Sequence, residues 1–221
     1  MEKKRGWGLA AIAVYILGFG CVALAHAWPF MRDGNYFIFG ADCFTQHYPA
    51  FLYILNYFRE TAAGWLQGQW LPKLFDFSLG LGGDVLSTLN YYGLGNPFYL
   101  LGLLSPENKL PLAFSLILVF QYFLAGLAFW GFCRKNGLRG AGPVVSAWLY
   151  VFTGFYLMTV EHPIMAHAVL ALPLMLWGAE KILRHESPLL LALAVFGTAL
   201  CGFYFLFTCS VALAFYILIR V

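Results

Sequence analysis

The chain has 221 residues, of which 62% are hydrophobic, 19% aromatic and 10% charged, and its mean hydropathy is +0.75. A soluble domain carries nearer ~25% charged residues, so too little polar surface is present to coat a water-soluble fold. Soluble enzymes are excluded and a multi-spanning membrane protein remains. The formal net charge of +3 leaves no footprint for nucleic acid. Cysteines stand alone at 21, 43, 133, 201 and 209, which suggests neither a zinc site nor a disulfide framework.

In chain order, the first apolar run is Trp7–Ala27, preceded by Lys3, Lys4 and Arg5. It exceeds the ~7–15 residues of a signal-peptide core and reads as a retained first span. Further spans are expected at Leu110–Cys133, Pro143–Val160 and Pro163–Leu183, since a crossing helix needs ~20 apolar residues. The run Pro188–Ile219 is too long for one helix and reads as two short segments broken near Cys201–Tyr204, around Gly202. The total is about six transmembrane segments in an all-α polytopic membrane protein. Basic residues mark cytoplasmic ends. With the N-terminus inside, Arg134, Lys135, Arg139, Lys181, Arg184 and Arg220 also fall inside. The abrupt hydrophobic C-terminus suggests the N-terminal part of a longer protein, read here as a single domain, 1–221.

Residues 28–109 then form a long outer loop holding six of the ten acidic residues. From Asp42 to Gln67, apolar residues at helical spacing (Phe51, Leu55, Phe58, Ala62, Trp65) predict an amphipathic helix lying at the interface, with Pro49 kinking it or setting its start. Gly80–Asp84 reads as a turn. A second short helix is expected over Pro97–Leu104, stopped by Ser105-Pro106.

The polar residues of this loop are the candidate site. Asp42 opens a helical run and is either an N-cap or a general base. Gln46 shares its face at i+4, and His47 lies about 100° further round. Asp84 and the pair Tyr91-Tyr92 flank Gly-rich stretches that permit close backbone approach to a ligand or simply turn the chain. Glu161-His162 is either an exposed corner or a cavity wall. His167 is either a functional intramembrane group or a neutral core histidine. Arg59, Lys73, His47 and His162 are available to steady an anion. Tyr91, Tyr92 and Trp70 suit sugar stacking or interface anchoring. No phosphate loop, dinucleotide fingerprint, HExxH or GxSxG appears. A nucleotide substrate is disfavoured, and a lipid-borne substrate takes its place.

The segment D-x-x-x-Q-H-Y-P-A-F at 42–51, FSLGLGGDVLSTLNYYGLGNPFYLL at 77–101 and HPIMAHAVLALPLMLWGAEKIL at 162–183 resemble the bacterial YfhO family over nearly the whole chain. That resemblance implies a GT-C-like fold, a bacterial cytoplasmic-membrane location and transfer of sugar from a polyprenyl-phosphate carrier to a cell-surface polymer such as teichoic acid. It places Asp42 as the catalytic base; the residue types and positions themselves offer Gln46, His47, Arg59, Asp84, Tyr91, Tyr92, Glu161 and His162 as substrate-binding candidates. No cofactor is implied. Asp84 lacks a DxD partner, which leaves a divalent metal unsupported. A flippase for lipid-linked sugar and a non-catalytic assembly factor are the alternatives.

Overall fold

The computed structural model describes residues 3–38, 40–154 and 162–220, with side chains from Ala10 onward. The elements are α1 (Lys3–Arg32), a π-helical turn (Cys43–His47), α2 (Tyr48–Leu66), strands β1 (Phe75–Asp76) and β2 (Gly83–Asp84), and α3 (Val85–Asn90). Two 3-10 segments follow (Pro97–Leu104 and Glu107–Lys109), then α4 (Leu110–Lys135), α5 (Gly142–Val151), α6 (Met165–Leu183), α7 (Leu189–Cys201) and α8 (Phe203–Arg220).

Among the described residues, four stretches are long and apolar enough to cross a membrane: Ala10–Arg32, Glu107–Lys135, Met165–Leu183 and Phe203–Arg220. The α5 and α7 helices are shorter, so six full-length crossings are not seen among the described residues. The third expected span, Pro143–Val160, is helical through Val151, and 155–161 lie outside the described residues. The break expected near Gly202 is present. Gly202 is extended between α7 and α8 (φ 160°, ψ 126°), and α8 turns back toward the end at which α6 finishes.

Without a hydrophobic drive between helices in lipid, close packing and internal hydrogen bonds hold a bundle together. Tyr15, Phe19 and Ala23 follow one another at four-residue steps on the buried face of α1. The Tyr15 hydroxyl donates to the Phe123 carbonyl on α4 at 2.8 Å, and the Trp148 indole on α5 donates to the Tyr15 carbonyl at 3.2 Å. Glycine makes these approaches possible. A Cβ on Gly126 would lie 2.0 Å from the Tyr15 hydroxyl oxygen, and one on Gly178 would lie 2.6 Å from the backbone nitrogen of Leu191.

At the end away from the loop, the fully buried Glu180 carboxylate accepts from Tyr216 (2.6 Å), from Arg220 (2.8 Å) and twice from Arg184 (3.2 Å each). Removing one partner from a buried ion pair leaves an uncompensated charge, so this cluster fixes the C-terminal ends of α6 and α8 on one side. Lys135 pairs with Glu186, bringing the end of α4 to the same side.

The loop packs on this bundle through α2, which begins after the π-turn, with Pro49 in its first turn, and buries Phe51, Ile54 and Leu55 against Tyr99 and Phe114. Beyond Tyr57 the apolar side is only part-covered: Trp65, expected on the buried stripe, is half-exposed. The Gly80–Asp84 turn closes a two-residue antiparallel ladder, Phe75 opposite Asp84 and Asp76 opposite Gly83. The helix expected over 97–104 has those bounds but is 3-10, with Asn96 as its cap.

Asn96 reaches deep. It is 3% exposed, and its amide donates to Gln121 on α4 at 3.3 Å. Gln121 stands thirteen residues before Arg134, roughly 20 Å of helix rise. The thirteen residues of α7 span a similar height, and its tip meets the same segment. Asn90 donates to the Leu200 carbonyl at 3.5 Å, and the Cys201 thiol lies 3.7 Å from the Gly95 carbonyl. Counted from Arg134, a ~30 Å hydrocarbon layer contains this meeting point. Non-helical backbone at such depth is tolerated only inside protein or beside a polar cavity.

Gly126→Leu is expected to lower stability by about 1–3 kcal/mol, because it overlaps Tyr15. Gly20→Ala, where nothing lies within 4 Å of the new Cβ, is expected to be neutral within ~0.5 kcal/mol. Thermal unfolding in detergent checks both.

Candidate functional site

Three segments far apart in sequence meet at the π-turn. Ala41, at φ 57°, turns the chain, and the Thr45 amide and hydroxyl both donate to its carbonyl (3.0 and 2.8 Å). Asp42 is thereby helical itself (φ −66°, ψ −31°) and makes no side-chain cap. The N-cap role expected of it is corrected: the local turn is closed by Thr45, and the Asp42 carboxylate is free for other partners. Its Oδ1 accepts from Gln46 Nε2 at 2.7 Å, the i,i+4 pairing that the spacing predicts. Gln46 Oε1 in turn accepts from the Tyr92 hydroxyl at 2.9 Å. Asp42 Oδ2 lies 4.0 Å from His162 Nδ1, too far for a hydrogen bond, and its side chain is 46% exposed.

His47 sits under this chain, 2% exposed, with its Nε2 3.2 Å from His162 Nδ1. The rings are perpendicular, and Tyr92 and Tyr91 pack beside His47 at centroid distances of 5.6 and 6.4 Å. His47 Nδ1 is buried with no hydrogen-bond partner. An orphaned N–H is rarer in proteins than an under-used acceptor. The favoured arrangement therefore keeps the proton on Nε2, which donates to His162. Burial is the main reason that the His47 pKa falls to about 4; His162 lowers it further and Asp42 opposes. Burial, then Tyr91 and Asp42, raise that of Tyr92, which keeps its hydroxyl a donor.

The constellation is thus Asp42, Gln46, His47, Tyr91, Tyr92 and His162. It has the form of a base oriented by a second group that is itself oriented by a third. Two candidates stand elsewhere. Asp84 caps α3, accepting from the Ser87 amide and hydroxyl at 2.6 Å each, and those bonds hold its carboxyl below the usual range. Arg59 donates to Asn56 at 3.2 Å and lies 3.8 Å from Glu107. Asp84 is taken up at the start of α3, and Arg59, within α2, by Asn56 one turn before it and by Glu107. Glu161 lies outside the described residues. Lys73 pairs with Asp76 at 2.7 Å. His167 is buried, and neither ring nitrogen has a hydrogen-bond partner. Among the described residues no group of three or more His, Cys, Asp or Glu is arranged to hold a metal ion.

Sequence reasoning passed over Asp76 and the Asn96–Gln121 pair. Asp76 is 8% exposed and accepts from the Tyr53 hydroxyl, the Ser78 amide and Lys73. Lys73 first, then Tyr53 and Ser78, hold it well below the usual carboxylate range. Its signal was faint: an acid three residues after a lysine. Gln121 was more legible, as a lone amide in an apolar span, the kind of group that marks an internal contact.

A folded-state pKa of about 4 for His47, against an unfolded ~6.5, stabilises the fold fully above pH 6.5. That contribution is lost as the pH falls toward 4, because only the unfolded chain binds the proton in that window. The expected slope is about 1 kcal/mol per pH unit. His47→Gln is expected to flatten the stability profile between pH 6.5 and 4 relative to wild type, in thermal melts run across that range.

No curated protein and no solved structure matches the chain at a significant level. The family described as bacterial membrane protein YfhO does, over residues 12–221. That stretch carries the π-turn with Asp42, the Tyr91-Tyr92 segment, His162 and all of the helices α4–α8, and the chain belongs to this family.

Proposed function

We propose that this chain acts as a membrane glycosyltransferase. It would move a sugar from a polyprenyl-phosphate carrier to a hydroxyl of a cell-surface acceptor polymer. The observation that carries the reading is the Asp42 carboxylate: exposed, and oriented through Gln46 by Tyr92. Asp42 Oδ2 takes the proton of the acceptor hydroxyl as that oxygen bonds to the anomeric carbon. The bond from the anomeric carbon to the phosphate oxygen breaks, and the lipid phosphate leaves with the electron pair. General-base help of this kind is worth ~10²–10⁴ in rate. Tyr91, the most exposed ring of the cluster, is placed to stack on the sugar. His162 supplies a hydrogen-bond donor for developing phosphate charge.

Membrane placement supports this assignment. Arg134, Lys135, Lys181, Arg184 and Arg220 gather at the ends of α4, α6 and α8, away from the loop. The positive-inside rule supports reading that end as cytoplasmic, with the N-terminus inside and the site on the outer face of a cytoplasmic membrane. The site borders the Asn90–Asn96 segment that enters the bundle. A second reading, a flippase for the same lipid-linked sugar, draws on the helix break at Gly202, since broken helices line transport paths.

Asp42→Asn keeps an acceptor for Gln46 and is expected to fold normally while losing at least ~10² in sugar transfer. The assay uses proteoliposomes and a panel of labelled polyprenyl-phosphate sugars. Wild-type turnover retained by the variant contradicts the base role, and lipid movement without transfer selects the flippase.

A further inference from the structure

The hairpin between α2 and α3 is inside out. Alternate side chains of a strand point to opposite faces, and a hairpin standing in water turns its apolar residues inward. Here Phe75 is half-exposed and Phe77 is 81% exposed, while Asp76 between them is buried. Leu81, in the turn, is fully exposed. The arrangement is built rather than loose. Asp76 is held from inside by Tyr53, the Ser78 amide and Lys73, and the Val85 amide donates to the Leu74 carbonyl at 2.9 Å. The Phe75 and Phe77 rings meet edge to face at 5.2 Å over Gly82, where a Cβ would lie 3.1 Å from one and 3.3 Å from the other. Trp70 and Leu71, just before the hairpin, are also largely exposed. From 61 to 83 the only charged residues are Lys73 and Asp76, and they pair with each other.

Height decides what covers this face. Strand β2 runs directly into α3, whose last residue, Asn90, is bonded to the tip of α7. That contact stands at about the level of Gln121, ~20 Å above Arg134. The six residues of α3 rise at most ~9 Å, and the step from Asp84 to Leu81 reaches at most ~10 Å further. Even if every step climbs straight outward, Leu81 stays within ~40 Å of Arg134. A bilayer with its head groups measures ~40–45 Å, so the hairpin does not leave it.

We propose that Phe75, Phe77 and Leu81 are seated in the outer leaflet, at the boundary between head groups and acyl chains, and that the hairpin is an interfacial anchor. Apolar-out, polar-in alternation is the pattern of strands that face lipid. Exposed apolar surface of this kind marks a membrane or protein partner, and depth selects the membrane. Burying the patch desolvates no unpaired charge. Trp70 and the half-exposed Lys73 are residue types that rest at head-group level. The anchor has a consequence for the candidate site. Because α3 ties the hairpin to Asn90, Tyr91 and Tyr92 stand on a segment held from the lipid side by the hairpin and from the bundle side by Asn96. The assignment is independent of the transferase reading.

The test is nitroxide accessibility in the full protein, reconstituted in vesicles of phosphatidylethanolamine and phosphatidylglycerol. Cys21, the one exposed native cysteine among the described residues, is replaced by alanine. Labels are placed singly at Phe77→Cys and Leu81→Cys. Leu24→Cys, on the exposed face of the first crossing stretch, is the lipid reference, and Arg139→Cys, exposed at the basic end, is the aqueous one. Collisions are measured with oxygen, which concentrates in lipid, and with a water-soluble nickel chelate present on both sides. The expected oxygen-to-nickel ratio at 77 and 81 exceeds that at 139 by roughly threefold or more and approaches that at 24, with melting of both variants unaltered. A ratio at 81 equal to that at 139 puts the hairpin in water and overturns the anchor. Low collision rates with both probes show the face covered by protein and overturn it equally.

Discussion

The hydrogen bond between Asn96 and Gln121 is the constraint on which the rest of this structure depends. A loop backbone that enters a hydrocarbon layer must satisfy its own polar groups, and Asn96 does so from both sides of its amide. Its oxygen accepts from the Phe98 amide at 3.1 Å and opens the 3-10 segment, while its nitrogen reaches Gln121. With that anchor in place, residues 90–96 stay against the tip of α7, and Tyr91 and Tyr92 stay against His47.

The candidate site is a consequence of this geometry rather than of any local motif. The π-turn supplies Asp42, Gln46 and His47. The anchored loop supplies the two tyrosines, and the start of α6 supplies His162. Burial makes His47 neutral and so a fixed hydrogen-bonding group rather than a charge. Asp42 stays at the surface, where its carboxylate is reachable.

Much of the architecture was legible in the sequence because it follows from periodicity and length. The apolar runs of α1, α4 and α6 are long enough to declare themselves, and Gly202 in an over-long run marks its own break. The bounds of the 97–104 segment follow from Asn-Pro at one end and Ser-Pro at the other. The 42–46 pairing follows from helical spacing. What the sequence could not carry was partnership. Nothing local distinguishes Asp84, which caps α3, from Asp42, which does not cap. The contact between His47 and His162 joins residues 115 positions apart. The packing of α2 against Phe114 likewise depends on α4 and not on the amphipathic pattern of α2.

The central claim is that residues 42–47, 91–92 and 162 form one constellation in the membrane-embedded protein. The most direct measurement is cross-linking by a short bifunctional thiol reagent in native membranes. The variants are His47→Cys with His162→Cys and, separately, Gln46→Cys with Tyr92→Cys, both in a background freed of the native cysteines. The account predicts efficient cross-linking in both pairs, with each single variant blank. Failure of both pairs to cross-link, in protein that retains its normal melting temperature, would contradict it.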